Sequence, residues 1–155
     1  MFLGTHLSAL DRSVISPKTI EAYLATEYRI SRPAGFTLLV GQRHTGLRSL
    51  LLGQIALGRK VTSSAILTAW NPWSERHSKV ENDRAQQDLV TELKRRDLDH
   101  IPAYGVDPTG KWPAEESLLV LGINLVTATE LGNRFRQNGL VWAVEDALPL
   151  LVLLR

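Results

Sequence analysis

The chain predicts a single α+β domain built on one mixed sheet with flanking helices. Helix-start signals alternate with short apolar runs, no Gly/Ser-rich or Pro-rich linker interrupts them, and 155 residues is the length of one domain, roughly 100 to 200. A chain of this size hides about 68 to 70% of its unfolded surface, so an apolar core can hold it without disulfides or metal. With no cysteine, thiolate catalysis, Cys-ligated zinc and iron–sulfur clusters are excluded. Hydrophobic residues at 44% and charged residues at 22% exclude a disordered or fibrous chain. Eighteen basic against sixteen acidic residues leave a net charge of +2, too small to draw the chain to nucleic acid or an anionic membrane.

Residues 1–15 read as a leader and 16–155 as the domain. The leader lacks a basic start, and Gly4, Thr5, His6 and Ser8 break its apolar stretch, so it is not a secretory signal. The longest apolar run, residues 147–154, contains Pro149 and falls far short of the roughly 18 residues of a membrane span. A cytoplasmic protein is expected. Ser16-Pro17 is an N-cap with proline at the first helical position, and Ile20, Tyr23, Leu24 and Glu27 carry a helix to about Thr26. Pro33-Ala34-Gly35 breaks the chain before a strand at 36–40 that Gly41 ends. Thr45 caps a second helix with Leu47, Leu50, Leu51 and Ile55 as its apolar stripe, and Gly58 closes it.

A strand at 64–70 leaves through the Asn71-Pro72 turn. Ser78 and Glu81 form a capping box that opens a helix to Arg96, with Ala85, Leu89 and Leu93 inward and Glu92 paired with Arg96 outward. Lys94, Arg95 and Arg96 complement its dipole. Strand 100–106, the turn Asp107-Pro108-Thr109-Gly110 and a central strand at 117–123 follow. Thr127 and Glu130 form a second capping box for a helix to Gln137 that Gly139 terminates, before strands at 140–144 and 150–154. From Ser64 to Val144 the order is β-α-β-β-α-β, the split pattern of ferredoxin-like domains, an architecture that hosts many unrelated functions.

Familiar catalytic signatures fail in turn. Gly41 to Ser49 has the setting of a phosphate loop, but Leu47 and Arg48 stand where lysine and a hydroxyl are required. His6, His44, His77 and His100 have no metal-ligating spacing, and there is neither G-x-S-x-G nor G-x-G-x-x-G, so no metal and no cofactor are expected. The strand SLLVLGI offers no aromatic for base stacking, so nucleic acid is not expected as a partner. Polar residues at element ends are the better signal. Thr68, Trp70, Asn71 and Ser74 leave a strand at its carboxyl end, and Asn82 points toward the apolar side of the next helix. Gln137 and Asn138 sit at another helix end, and Trp112 supplies a second apolar wall. The leading expectation is a polar cleft for a small or anionic ligand formed by these eight residues. A second is an enzyme using Glu116 or Asp107 as general base, since Glu115-Glu116 and Asp107 are the candidate paired carboxylates. The third is a protein-interaction module or homodimer paired along the terminal LLVLL edge.

LTAWNPWS, the downstream Asn82, DPTGKWPAEESLLVLGI and FRQNGLVW together resemble the uncharacterised bacterial domain-of-unknown-function family 3293. The resemblance runs from about Ile15 to Arg155 and rests on T-A-x-N-P at 68–72, Asn82, the run from Trp112 to Ser117, and Gln137-Asn138. It departs at Arg136, where glycine is expected, and at Gly139, where a small aliphatic residue is expected. The family implies no reaction.

Overall fold

A computed structural model describes residues 13–155, so positions 1–12 of the expected leader lie outside the described residues. Helix α1 (Pro17–Ala25) starts as its cap predicts, with the Ser16 side chain accepting from the Thr19 N–H. No strand is expected next, yet β1 (Glu27–Ile30) follows, with Tyr28 and Ile30 buried and Glu27 and Arg29 more exposed. That period of two marks a strand, and it begins where helical spacing still fits Glu27. Strand β2 is only Thr37–Leu38. Helix α2 (Thr45–Ala56) is capped by His44 rather than Thr45: the imidazole Nδ1 accepts from the Gly46 N–H at 3.0 Å, and its ring stacks on Phe36. Its buried stripe is Leu47, Leu51 and Gln54, which leaves Ile55 exposed.

Strand β3 (Ser64–Leu67) is wholly buried. Helix α3 (Lys79–Arg95) opens on the predicted capping box. Strands β4 (His100–Val106) and β5 (Glu115–Leu121) follow, then α4 (Leu125–Arg134), β6 (Gly139–Ala143) and β7 (Leu150–Leu153). The cap of α4 is Asn124, whose Oδ1 accepts from the Thr127 N–H at 2.8 Å, so Thr127 lies inside the first turn. Helices α2, α3 and α4 end alike, on left-handed Gly58, Asp97 and Arg136. In each, the next N–H bonds back to a carbonyl of the last turn, Gln54, Leu93 or Gly132. The left-handed residue that ends α4 is therefore Arg136, three residues before the glycine that the sequence suggests. A left-handed φ of 56° there is the conformation that favours glycine, which accounts for the residue type the family resemblance leads one to expect.

The sheet runs β2-β1-β4-β5-β3-β6-β7, with every neighbouring pair antiparallel. The α+β class and the embedded β-α-β-β-α-β unit stand, but the sheet is antiparallel rather than mixed. The reason lies in the split crossover: α3 carries the chain from β3 past one strand position, and β5 returns through that gap in the opposite direction. Both faces are covered. On one, Ile66, Leu119, Leu121 and Val141 pack with Leu47 and Leu51 of α2. On the other, Ala65, Leu67, Leu118 and Val120 pack with Leu89 and Leu93 of α3 and Leu131 of α4. This double burial explains why β3 and β5 read as unbroken apolar runs. Helix α1 lies over the first face, where Ile20 joins Leu151 of β7 and Ile15 in a small third cluster.

Glu92 is not on the outer side of α3. Its side chain is only 8% exposed; its carboxylate accepts from Arg95 and from Arg96 Nε at 2.9 Å, and it forms an ion pair with Arg134 of α4 at 3.2 Å. The hydrogen bonds from Arg95 and Arg96 hold it well below the ordinary carboxylate range, at about 2. Because the folded value lies below the unfolded value near 4.5, the stabilisation is full above that pH and lost as pH falls toward 2. Urea midpoints of wild type and Glu92→Gln should therefore differ at pH 7 and converge as the solution approaches pH 2. A gap that stays constant across that range would contradict this account.

Candidate ligand-binding pocket

Helix α1 and its cap Thr26 cover their part of the sheet with small side chains, Thr19, Ala22 and Thr26, beside Tyr23. A hollow of about 450 Å³ remains between it and the strands. Buried Tyr28, Ile66, Leu140, Val141 and Leu151 form the apolar lining. Lys18, Arg76 and Lys111, all exposed, lie at its edge with Trp112. None of these three cations forms an ion pair among the described residues.

The polar side is built where β3 leaves the sheet. The Thr68 hydroxyl donates to the Glu116 carbonyl at 2.6 Å and accepts from the Trp70 N–H at 2.9 Å, while Gln86 Oε1 of α3 takes the Ala69 N–H at 2.9 Å. The next residue, Asn71, is left-handed at φ 47°. Its N–H donates to Asn82 Oδ1 at 2.8 Å, and Asn82 Nδ2 donates back to Asn71 Oδ1 at 2.9 Å. The His77 N–H also donates to Asn71 Oδ1, at 3.0 Å. With two donors on its oxygen, the Asn71 amide must turn its nitrogen the other way, and Nδ2 donates to Glu115 Oε1 at 2.8 Å. Burial pushes the Glu115 carboxyl up from its ordinary value, and the Asn71 hydrogen bond offsets part of that rise.

A second network closes the far side. Asn138 Nδ2 donates to Ser74 Oγ at 2.9 Å, the Tyr23 hydroxyl lies 2.6 Å from the same oxygen, and Arg155 donates to Asn138 Oδ1 at 3.3 Å. Gln137 Nε2 donates to the carbonyls of Trp70 and Phe135. Trp73 lies between the guanidinium groups of Arg136 and Arg155, 5.4 and 5.3 Å from its ring centre, and its N–H bonds to the Arg136 carbonyl.

Of the eight residues expected to form a cleft, Thr68, Trp70, Asn71, Ser74, Trp112 and Gln137 line this hollow. Asn82 and Asn138 stand behind it, bonded to lining residues. Neither proposed general base lines it. Glu116 alternates with Glu115 along β5, so its side chain leaves from the opposite face of the strand. Asp107 closes its own turn, accepting from the N–H groups of Thr109 and Lys111 at 2.9 Å each, and its Thr109 hydrogen bonds hold its carboxyl below the ordinary range. The carboxylate in the hollow is Glu115.

Tyr23, Tyr28 and Gln86 also belong to the site, although the sequence alone does not single them out. Gln86 lies one turn beyond Asn82 in the stripe that continues to Leu89 and Leu93, a spacing visible in the sequence. Its Nε2 is buried with no partner among the described residues. A second hollow at the start of α2 holds Arg43, His44, Arg48, Glu145 and Asp146, where Asp146 pairs with Arg43 at 3.8 Å. Among the described residues no group of three His, Asp or Glu side chains is placed to hold a metal ion, and no helix is long and apolar enough to cross a membrane.

Two stability measurements test this construction. Asn82→Ala removes the acceptor of the Asn71 N–H and one of the two donors to its Oδ1, and should lower unfolding stability by about 2 kcal/mol in urea, the scale of orphaned buried polar groups. A loss under about 0.5 kcal/mol would mean that the reciprocal amide pair does not hold the turn. For Glu115 the sign is reversed relative to Glu92. A carboxyl raised by burial destabilises the fold once ionised, so the penalty is absent below the unfolded value near 4.5 and grows as pH rises through the folded one. Glu115→Gln should raise the urea midpoint at pH 7, with the advantage vanishing at pH 4 and below.

Comparison with known proteins comes to the same corner of the molecule. No curated protein and no solved structure matches the chain. Residues 67–140 match the model of a family described as "Protein of unknown function (DUF3293)". That span, just under half the chain, contains the exit from β3, the Asn71–Asn82 pair, Glu115 and Gln137-Asn138, whereas α1 and β1, which complete the hollow, lie outside it. Over these residues the chain resembles that family of proteins of unknown function.

Proposed function

We propose that the protein is a small-molecule-binding domain whose hollow beneath α1 takes an amphipathic organic anion. The observation that carries this reading is an apolar hollow of about 450 Å³ edged by Lys18, Arg76 and Lys111, none paired within the described residues. The volume falls within the roughly 300 to 1,000 Å³ of small-ligand sites. Ile66, Val141, Leu151 and the Tyr28 ring offer an apolar body its contacts, and the cations offer an anionic group its counter-charge. A catalytic form of the reading assigns general-base work to Glu115 rather than Glu116 or Asp107. What favours it is that Glu115 lines the hollow with its carboxyl raised by burial.

Decanoate and decanol, which share an apolar body and differ in charge, test the proposal. Decanoate should raise the Tm of the wild-type chain. Exposed ion pairs contribute about 0.2 to 1 kcal/mol each, so a triple Lys18→Gln, Arg76→Gln, Lys111→Gln variant should bind decanoate at least about threefold more weakly. Its weak affinity for decanol should be unchanged. Failure of decanoate and of 3-phenylpropionate to stabilise the wild type, or equal affinity in the triple variant, would overturn the reading.

A further inference from the structure

The hydroxyls around the hollow already have partners. Thr68 donates to the Glu116 carbonyl, Thr26 to the Ala22 carbonyl, and Tyr23 and Ser74 bond each other. Two acceptors are left over. Gln137 uses its amide nitrogen on two main-chain carbonyls, and its Oε1 has no partner among the described residues. Glu115 is the one acid lining the hollow; Asn71 holds its Oε1, and its Oε2 likewise has no partner among the described residues. The Asn71 amide cannot flip to change this, because the His77 N–H and Asn82 Nδ2 both require its oxygen.

We propose that Glu115 Oε2 is the specificity-determining acceptor of the hollow, so that the ligand is a bipolar molecule: an organic anion whose apolar body ends in a hydrogen-bond donor, a hydroxyl, amide or ammonium group. This rests on the anion reading above and adds the second end of the ligand. An apolar body entering without a donor strips water from Oε2 and returns nothing. A body with a donor replaces that water with a hydrogen bond to a carboxylate, which is among the stronger kinds.

Four probes of one shape test it: 3-phenylpropionate, its 3-hydroxyphenyl and 4-hydroxyphenyl analogues, and its 4-acetylphenyl analogue, titrated calorimetrically into the full chain. The wild type should bind at least one hydroxyl probe about tenfold or more tightly than the unsubstituted one, the scale of a hydrogen bond to a charged group. The acetyl probe, which offers only an acceptor, should bind most weakly. In Glu115→Gln, Asn71 Nδ2 still demands an acceptor, so the introduced amide gives it the oxygen and turns its NH₂ to the hollow. The hydroxyl preference should then disappear and the acetyl probe should gain. Equal wild-type affinity for all four probes, or an unchanged preference in Glu115→Gln, would overturn the inference while leaving the anion reading in place. Binding of none of them by the wild type would remove the anion reading and the inference with it. The wild-type ranking decides the matter even where the variant does not fold.

Discussion

The reciprocal amide pair between Asn71 and Asn82 is the constraint on which the rest of the site depends. Three residues within four positions, Asn71, Trp73 and Ser74, are left-handed without being glycine. Each such residue costs about 1 kcal/mol or more, with asparagine the most tolerant of them. The turn persists because its polar groups are met from outside. Asn82 on α3 satisfies both the N–H and the oxygen of Asn71, and the Trp73 N–H finds the Arg136 carbonyl. Once Asn71 is so held, its nitrogen has one direction left, and that direction fixes Glu115. A hydrogen-bond chain thus runs from a buried helix face to the wall of the hollow, each link orienting the next.

The hollow itself follows from how the two faces of the sheet are filled. Both helices of the β-α-β-β-α-β unit, α3 and α4, pack on one face, with Leu89, Leu93 and Leu131 almost wholly buried. The other face has to be covered by elements outside that unit. Helix α2 does so with Leu47 and Leu51, which leave no space. Helix α1 presents Thr19 and Ala22 on the side of the hollow, and side chains of that volume fill less space than the leucines of α2. The missing volume is the hollow, and Tyr23 and Tyr28 close it from one end with hydroxyls engaged by Ser74 and by the Tyr23 carbonyl.

Legibility in the sequence followed the range of the interaction involved. The caps of α1 and α3 and the span of β4 could be read because a side chain bonding three residues away, or one regular alternation, defines them. Strand β1 could not, since Glu27 satisfies helical spacing from Ile20 and strand alternation equally, and only pairing with β4 decides between them. The direction of the sheet was hidden for the same reason. In the site, the polar element ends were legible as a set because amides in such places need partners. Which of them would line the hollow and which would stand behind was not, because Asn82 and Asn138 differ from Asn71 only in what other segments bring to them. Glu115 enters the sequence reading only beside Glu116 as a candidate carboxylate and not as part of the cleft, because the apolar run starts at Ser117. Starting the strand two residues earlier places Glu115 and Ser117 on the face of Leu119.

Two glutamates show how differently this fold treats a carboxyl drawn away from water. Glu92 and Glu115 are the same residue type, yet burial and partners move their carboxyls in opposite directions. Glu92 is met by three arginines, which saturate its oxygens and tie α3 to α4. Glu115 has one amide and a largely apolar surround, so ionising it is unfavourable within the fold, and a glutamine, which keeps an acceptor for Asn71, would cost less. The unpartnered Gln86 nitrogen and the left-handed residues from Asn71 to Ser74 belong to the same corner. These departures from local rules gather beside the hollow and support the binding reading proposed above. A carboxylate saturated by its own protein has nothing left to recognise, and one held by a single fixed amide has one oxygen still to give.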